Sequence, residues 1–324
     1  MKMFKKIIIM LSLLISATVF ADNFDPTKRP IEIIVAYPPG GNSDRVARII
    51  EEMFTNNGWK AIVINKPGAD TVIAANFVAK AAPDGHTVFM GGTGFLDSNI
   101  AFKTKSDGIN YTESSFAPIV PMGISTMVLA VPANSPVNSY LQLKDYVTKN
   151  PKKFNVAYWN RNTANLFTYW AQLEKLPVPQ IINYKGGGPQ MVDLMGGNVD
   201  FAFDVLSTMK NGWQTGKVKI IAALTPDGAR LVRELDPGTV IPVLSNRHQG
   251  LDLNIWYGLY APAGIDFTTK ARINNLVNQE LRNPVYAEKL KAIGIINPGG
   301  TFDDLERTQT KTLRILRNVS KNIE

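Results

Sequence analysis

The stretch Ile31 to Phe54, IEIIVAYPPGGNSDRVARIIEEMF, constrains the fold of this chain more than any other. Ile31, Ile33, Ile34 and Val35 form an apolar strand that runs into Pro38-Pro39-Gly40-Gly41. Beyond it, Val46, Ile49, Ile50, Met53 and Phe54 recur at the i, i+3, i+4, i+7, i+8 spacing of a helix with one buried face. Gly40 and Gly41 permit a tight turn, and Asn42, Ser43 or Asp44 is placed to cap the helix. The first N–H groups of a helix have no internal acceptor, and its dipole adds roughly half a positive charge there, so a small anion is the natural guest. Neither the phosphate-gripping loop that ends in Gly-Lys-Ser/Thr nor the Gly-x-Gly-x-x-Gly dinucleotide fingerprint is present. Adjacent glycines and small polar residues without a lysine suit a carboxylate better than a polyphosphate. A plain strand-to-helix turn, with glycines for geometry alone, fits the same residues.

The segment before this unit reads as an export signal. Lys2, Lys5 and Lys6 precede an apolar run from Ile7 to Ile15, and Val19-Phe20-Ala21 offers a cleavage site after residue 21. The run is shorter than the roughly 20 apolar residues that span a bilayer. The mature protein is therefore expected to be soluble and exported, not inserted in the membrane. The chain has no cysteine, hence no disulfide framework and no lipid-acceptor thiol. Three of the +8 formal charges leave with the signal, and the remaining excess is not the clustered basic footprint of a nucleic-acid binder. About 300 residues exceed what one compact core usually holds, so two lobes are expected.

Strands alternate with helices through the first hundred residues. Ala61 to Ile64 reads as a second strand, Val72 to Ala82 as a helix, and His86 to Gly91 as a third strand. That alternation predicts an α/β fold with a parallel-rich sheet, whose ligands sit at the carboxyl ends of the strands. Here those ends carry Tyr37, Gly40, Gly41, Asn42 and Ser43, then Asp70 and Thr71, then Thr93 and Gly94.

The succession IVAYPPGGNSDRVAR, NKPGAD and VAKAAPDGHTV resembles the periplasmic solute-binding receptors of tripartite tricarboxylate transporters, the Bug-type family. Their usual pattern is similar to IVPFPPGGxxDxxAR followed by NxPGAGGxxGxxxVAxAxPDGYTL. This chain departs from it at Asp70, Thr71 and Ala74, where the family has glycines. Asp70 is a candidate for a ligand amino or hydroxyl group, with a solvent-facing helix cap as the alternative. Further matches are INYKGGGPQMVDLMGGNVDFAFD from Ile182 to Asp204 and LNIWYGLYAPAG from Leu253 to Gly264. The resemblance covers about Arg29 to Gly300. It implies a two-lobed periplasmic binding protein fold of type II, with the ligand cleft between lobes.

The predicted division places residues 22–123 in lobe 1, 124–246 in lobe 2, and 247–324 back in lobe 1 with helices over Thr268 to Arg282, Val285 to Ala292 and Phe302 to Asn318. In lobe 2, the loop after Phe154 to Tyr158 carries Arg161, Asn162 and Thr163 where the family loop is glycine-rich. Arg161 offers a planar fork for a distal carboxylate, with a solvated surface arginine as the alternative. Tyr184 to Gly188 presents further backbone N–H groups, so Lys185, Gly186 and Gly187 join the candidates. Asp204, at a strand end, would accept from a ligand hydroxyl, amine or water, or else cap the next helix.

Catalysis has little support. The two histidines, His86 and His248, stand far apart in sequence, no Gly-x-Ser-x-Gly elbow surrounds Ser43, and no His-Glu-x-x-His occurs. The reading is a monomeric receptor without metal or cofactor. With the resemblance, it takes a small carboxylate, a di- or tricarboxylate, closes on it, and hands it to the permease subunits of a tripartite transporter. A sensory partner of a membrane receptor kinase is the alternative.

Overall fold

The computed structural model describes residues 24–323 apart from 103–106, 152–153, 159–160, 179, 185–186 and 297, and without the side chains of 94, 95, 161, 162 and 249. The export signal, Lys185 and Gly186 lie outside the described residues.

β1 (Ile31–Val35) is buried on both faces, as a central strand must be. It feeds α1 (Asn42–Asn56), whose Val46, Ile49, Ile50, Met53 and Phe54 are buried as their spacing predicts. Burying each such large side chain contributes about 1.5–3 kcal/mol. β2 (Ala61–Asn65), α2 (Val72–Ala79) and β3 (Thr87–Gly92) follow. α2 stops short of the predicted Ala82 because its last turn tightens, with Lys80 N–H bonding Phe77 O and Ala81 N–H bonding Val78 O. α3 (Ser98–Phe102) and β4 (Phe116–Ser125) complete this run.

After Thr126 the chain enters a second sheet. It contains β5 (Met127–Pro132), α4 (Tyr140–Lys149), β6 (Asn155–Tyr158), α5 (Arg161–Leu173), β7 (Gln180–Asn183), α6 (Gly187–Gly196), β8 (Phe201–Val205), α7 (Leu206–Gln214), β9 (Val218–Ala223) and α8 (Pro226–Leu235). The wholly buried β10 (Ile255–Pro262) returns to the first sheet. α9 (Phe267–Glu280), α10 (Pro284–Ala292) and α11 (Phe302–Ile323) finish the chain. α11 runs past the predicted Asn318 because Val319 and Ile323 extend its apolar face.

The two sheets share one plan. The first has strand order β2-β1-β3-β10-β4 and the second β7-β6-β8-β5-β9, each with three parallel strands followed by antiparallel pairings. The strand that crosses between sheets, β5 or β10, sits fourth in its sheet. Thr225 Oγ1 donates to Asn254 Oδ1 at 2.8 Å, and Leu224 N–H to Met127 O at 3.0 Å, so the crossing segments lie side by side. This arrangement brings the carboxyl ends of β1 and β8 to opposite walls of one cleft.

Candidate functional site

The cleft has a volume of about 760 Å³. Tyr37 to Ser43 and Arg45 form one wall, Gly187, Gly188, Ser207 and Thr208 the other, and Asp204 and Tyr257 the buried floor. Asn42 Nδ2 crosses it to donate to Ser207 Oγ at 3.4 Å.

The first wall is held from behind by Asp44. Its buried carboxylate accepts the Gly40 N–H at 2.9 Å, Arg48 Nε at 3.0 Å and Arg48 Nη2 at 3.2 Å, and Asn65 Nδ2 at 3.0 Å. Asn65 also donates to Tyr37 O at 2.9 Å, closing the loop on itself. Burial pushes the Asp44 carboxyl up, but the bonds from Gly40, Arg48 and Asn65 outweigh it and hold it below the usual range. Gly40 has φ +95°, the left-handed conformation this turn needs.

One expectation about this loop is corrected. The helix N-cap is Gly41, and none of Asn42, Ser43 and Asp44 caps it with a side chain, because Asp44 is already bound to the loop behind it. The Gly40 N–H points inward to the same carboxylate. The first helical bond is Arg45 N–H to Gly41 O, so the amides of Asn42, Ser43 and Asp44 have no acceptor within the helix.

On the floor, Asp204 Oδ1 accepts the Val205 N–H at 2.7 Å. It does not cap α7, whose N-cap is Val205 without a side-chain bond. Gly187 lies directly over this carboxylate: a Cβ there would stand 2.8 Å from Asp204 Oδ2 and 2.9 Å from Thr208 Cγ2. Burial, opposed by the Ser125 and Asn42 side chains in hydrogen-bonding reach and aided by the Asp204 charge, pushes the Tyr257 hydroxyl up to about 12. Tyr257 is therefore a neutral hydroxyl at any physiological pH.

Of the sequence-predicted residues, Tyr37, Gly40, Gly41, Asn42, Ser43, Gly187 and Asp204 line the cleft. Asp70, Thr71 and Thr93 do not. Thr71 is buried and accepts Asn99 Nδ2 at 2.8 Å, while Asp70 supplies its carbonyl to the same amide at 3.0 Å and is itself exposed. Thr93 Oγ1 donates to Asn254 O at 3.1 Å and accepts the Trp256 N–H at 3.1 Å, which ties it to β10. Gly94 lies in the single wide turn Thr93–Asp97 that follows β3. Arg161 and Asn162 open α5, and Thr163 is buried one position on. β6 runs parallel to β8 with Ala157 opposite Ala202, so α5 starts at the same sheet end as Asp204. The side chains of Arg161 and Asn162 lie outside the described residues.

Sequence reasoning missed Arg45, Ser207, Thr208 and Tyr257. A tyrosine inside an apolar strand was the available signal, since a buried phenol needs a partner for its hydroxyl. Ser207 and Thr208 reach the cleft only because α7 begins where β8 ends.

Among the described residues no group of three or more His, Asp and Glu side chains is arranged to hold a metal, and no helix is long and apolar enough to cross a membrane. The cleft instead offers what a small anion or polar acid needs: helix amides, an amide side chain, hydroxyls and one guanidinium.

A family model described as the tripartite tricarboxylate transporter family receptor matches residues 46–315. The UPF0065 protein of the tcbD-tcbE intergenic region of Pseudomonas sp. strain P51 is 28% identical over 295 residues, covering 87% of this chain and 84% of that relative. Among solved structures, MatC from Rhodopseudomonas palustris with bound malate superposes with a TM-score of 0.76 at 24% identity, covering 91% of this chain and 99% of that one. Rpa4515 of the same organism, solved with adipate, gives a TM-score of 0.78 at 22% identity over 92% of this chain and 98% of its own. The matching family is one of transporter receptors and not of enzymes, and the two solved structures share the two-sheet architecture described above. This chain belongs to the receptor family of tripartite tricarboxylate transporters.

Proposed function

We propose that the protein is an extracytoplasmic receptor that captures one small di- or tricarboxylate between its lobes, closes on it, and delivers it to the permease of a tripartite transporter. The observation that carries this reading is the pairing of two complementary walls. The α1 amides, with the positive end of the helix dipole, face the Gly187-Gly188 backbone and α7 hydroxyls across a cleft already bridged by Asn42 and Ser207. A carboxylate seated on α1 reaches donors on both sides and so stabilises the closed form.

Asp204 restricts what occupies the floor. A buried carboxylate repels another and accepts from a ligand hydroxyl, an amine or an intervening water. The malate held by MatC carries such a hydroxyl and the adipate held by Rpa4515 does not, so either a hydroxy acid or a water-bridged diacid is compatible with this floor. Residues 22–123 and 247–324 would move as one lobe and 124–246 as the other, hinged at Ser125 to Met127 and at the Thr225–Asn254 contact. Removal of residues 1–21 on export would release the soluble receptor.

A thermal-shift screen of residues 22–324 against mono-, di- and tricarboxylates, amino acids and aromatic acids tests the proposal. At ligand concentrations about 100 times Kd, stabilisation of about 2.7 kcal/mol and a clear rise in Tm are expected for a di- or tricarboxylate. No rise with any carboxylate, in protein whose extract after denaturation also contains none, would refute it.

A further inference from the structure

We infer that Arg45 binds the second carboxylate of the ligand and sets the preference for di- over monocarboxylates. This rests on the carboxylate-receptor reading above and adds to it the side chain that discriminates.

Among the described residues that line the cleft, two are charged. Asp204 lies buried on the floor, and Arg45 stands exposed at the mouth. The cleft is thus negative within and positive at its entrance. A ligand with carboxylates at both ends is repelled by Asp204 if its second end points inward, and attracted if that end points toward Arg45.

α1 carries two arginines one turn apart, and they have different partners. Arg48 is held by Asp44 through both Nε and Nη2. Arg45 pairs with no carboxylate among the described residues, although Asp44 precedes it directly in the chain. Its planar fork is therefore available for a bidentate carboxylate. Position matches this chemistry. Arg45 follows Asn42 by three residues, so the two share a helix face, and Asn42 already reaches across to Ser207. The first carboxylate sits on the amides of Asn42 and Ser43, and the second meets Arg45 one turn along the same face. When the second lobe closes over this pair, loss of water strengthens their attraction. A monocarboxylate leaves Arg45 in solvent and gains nothing from it.

The test is isothermal titration calorimetry of residues 22–324 with linear monocarboxylates and α,ω-dicarboxylates of matched carbon number, on wild type, Arg45→Ala, Arg45→Lys and Arg161→Ala. Because Arg45 is exposed, the unliganded Tm of its variants should match wild type. Arg45→Ala is expected to weaken dicarboxylates by about tenfold to a hundredfold and monocarboxylates by no more than about twofold. Arg45→Lys, which keeps the charge without the planar fork, is expected to recover part of that loss. Equal weakening of both acid classes by Arg45→Ala, or a selective loss seen only in Arg161→Ala, would overturn the assignment. Wild type binding monocarboxylates alone would also overturn it while leaving the receptor reading intact. Wild type binding no acid would bring down the reading and the assignment together.

Discussion

Asn42 and Ser207 are 165 residues apart in sequence, yet their side chains meet across the cleft at 3.4 Å. One belongs to the first turn of α1 and the other to the first turn of α7, so their bond exists only when the two walls face each other closely. A Cβ on Gly294, just beyond α10, would stand 2.4 Å from Ser207 Cβ, which shows how near α7 lies to the opposite lobe.

Breaking that bond should weaken ligand binding without unfolding either lobe. Asn42→Ala and Ser207→Ala are each expected to lower carboxylate affinity by about threefold to tenfold, the worth of about 0.5–1.5 kcal/mol for one hydrogen bond. A double-mutant cycle by calorimetry should return a coupling near that of either single change. Strict additivity would place the two residues in separate functions.

Asp44 predicts an acid-sensitive loop. Its folded pKa is depressed, so its contribution is present above the unfolded value of about 3.9 and lost as pH falls through and below it. Asp44→Asn removes the charge that Gly40, Arg48 and Asn65 converge on. It should cost about 1–3 kcal/mol at pH 7 in urea titrations, with a smaller cost near pH 3. Ligand affinity should fall too, although Asp44 lines no part of the cleft.

Asp97 has the opposite sign. It is fully buried, with Gln309 Nε2 donating to Oδ1 at 3.1 Å, and burial pushes its carboxyl well above the usual range. The unfolded chain ionises near pH 4 while the folded chain resists, so this residue makes stability fall as pH rises above about 4. Asp97→Asn keeps an acceptor for Gln309 and removes the ionisation. The variant is expected to be more stable than wild type at pH 8, by about 1 kcal/mol, and to show a flatter pH profile between 5 and 8 in denaturant midpoints.

The turn before α2 stores strain. Ala69, Asp70 and Thr71 have φ values of +46°, +51° and +75°, three successive left-handed residues without a glycine among them. Each such residue costs about 1–2 kcal/mol, and a β-branched threonine is poorly suited to it. Asp70→Gly should raise stability by about 1 kcal/mol after the added freedom of the unfolded chain is subtracted. Thr71→Gly should come out near neutral, because relief of strain is offset by loss of the Asn99 bond. Thermal melts of the two variants separate these outcomes.

Much of the fold was legible because it depends on short-range pattern. The apolar spacing from Val46 to Phe54 marked the buried face of α1, and the strand–helix alternation marked the sheet end where the cleft lies. The site was legible only where backbone position decided it, as with Gly187 and Asp204. It failed where a distant partner determined which way a polar side chain turned. Thr71 was captured by Asn99 and Thr93 by the Asn254 to Trp256 backbone, while Arg48 was drawn to Asp44 and Arg45 was left facing the cleft. Nothing local distinguishes the fates of Thr71 and Thr93, whose deciding neighbours arrive from elsewhere in the chain, whereas Arg48 meets Asp44 one turn back on its own helix.

The central claim, that one carboxylate is held between the α1 amides and the Gly187-Gly188 wall, is tested most directly by calorimetric titration of wild type and Gly187→Val with the acid that gives the largest thermal shift. A side chain at Gly187 would enter the space against Asp204 Oδ2 and Thr208, at the cleft wall and not in either apolar core. Wild type should bind one molecule per chain, and the variant should lose at least about a hundredfold in affinity while keeping a cooperative unliganded melt. Unchanged binding in a folded Gly187→Val variant would place the carboxylate elsewhere and contradict the assignment of this cleft.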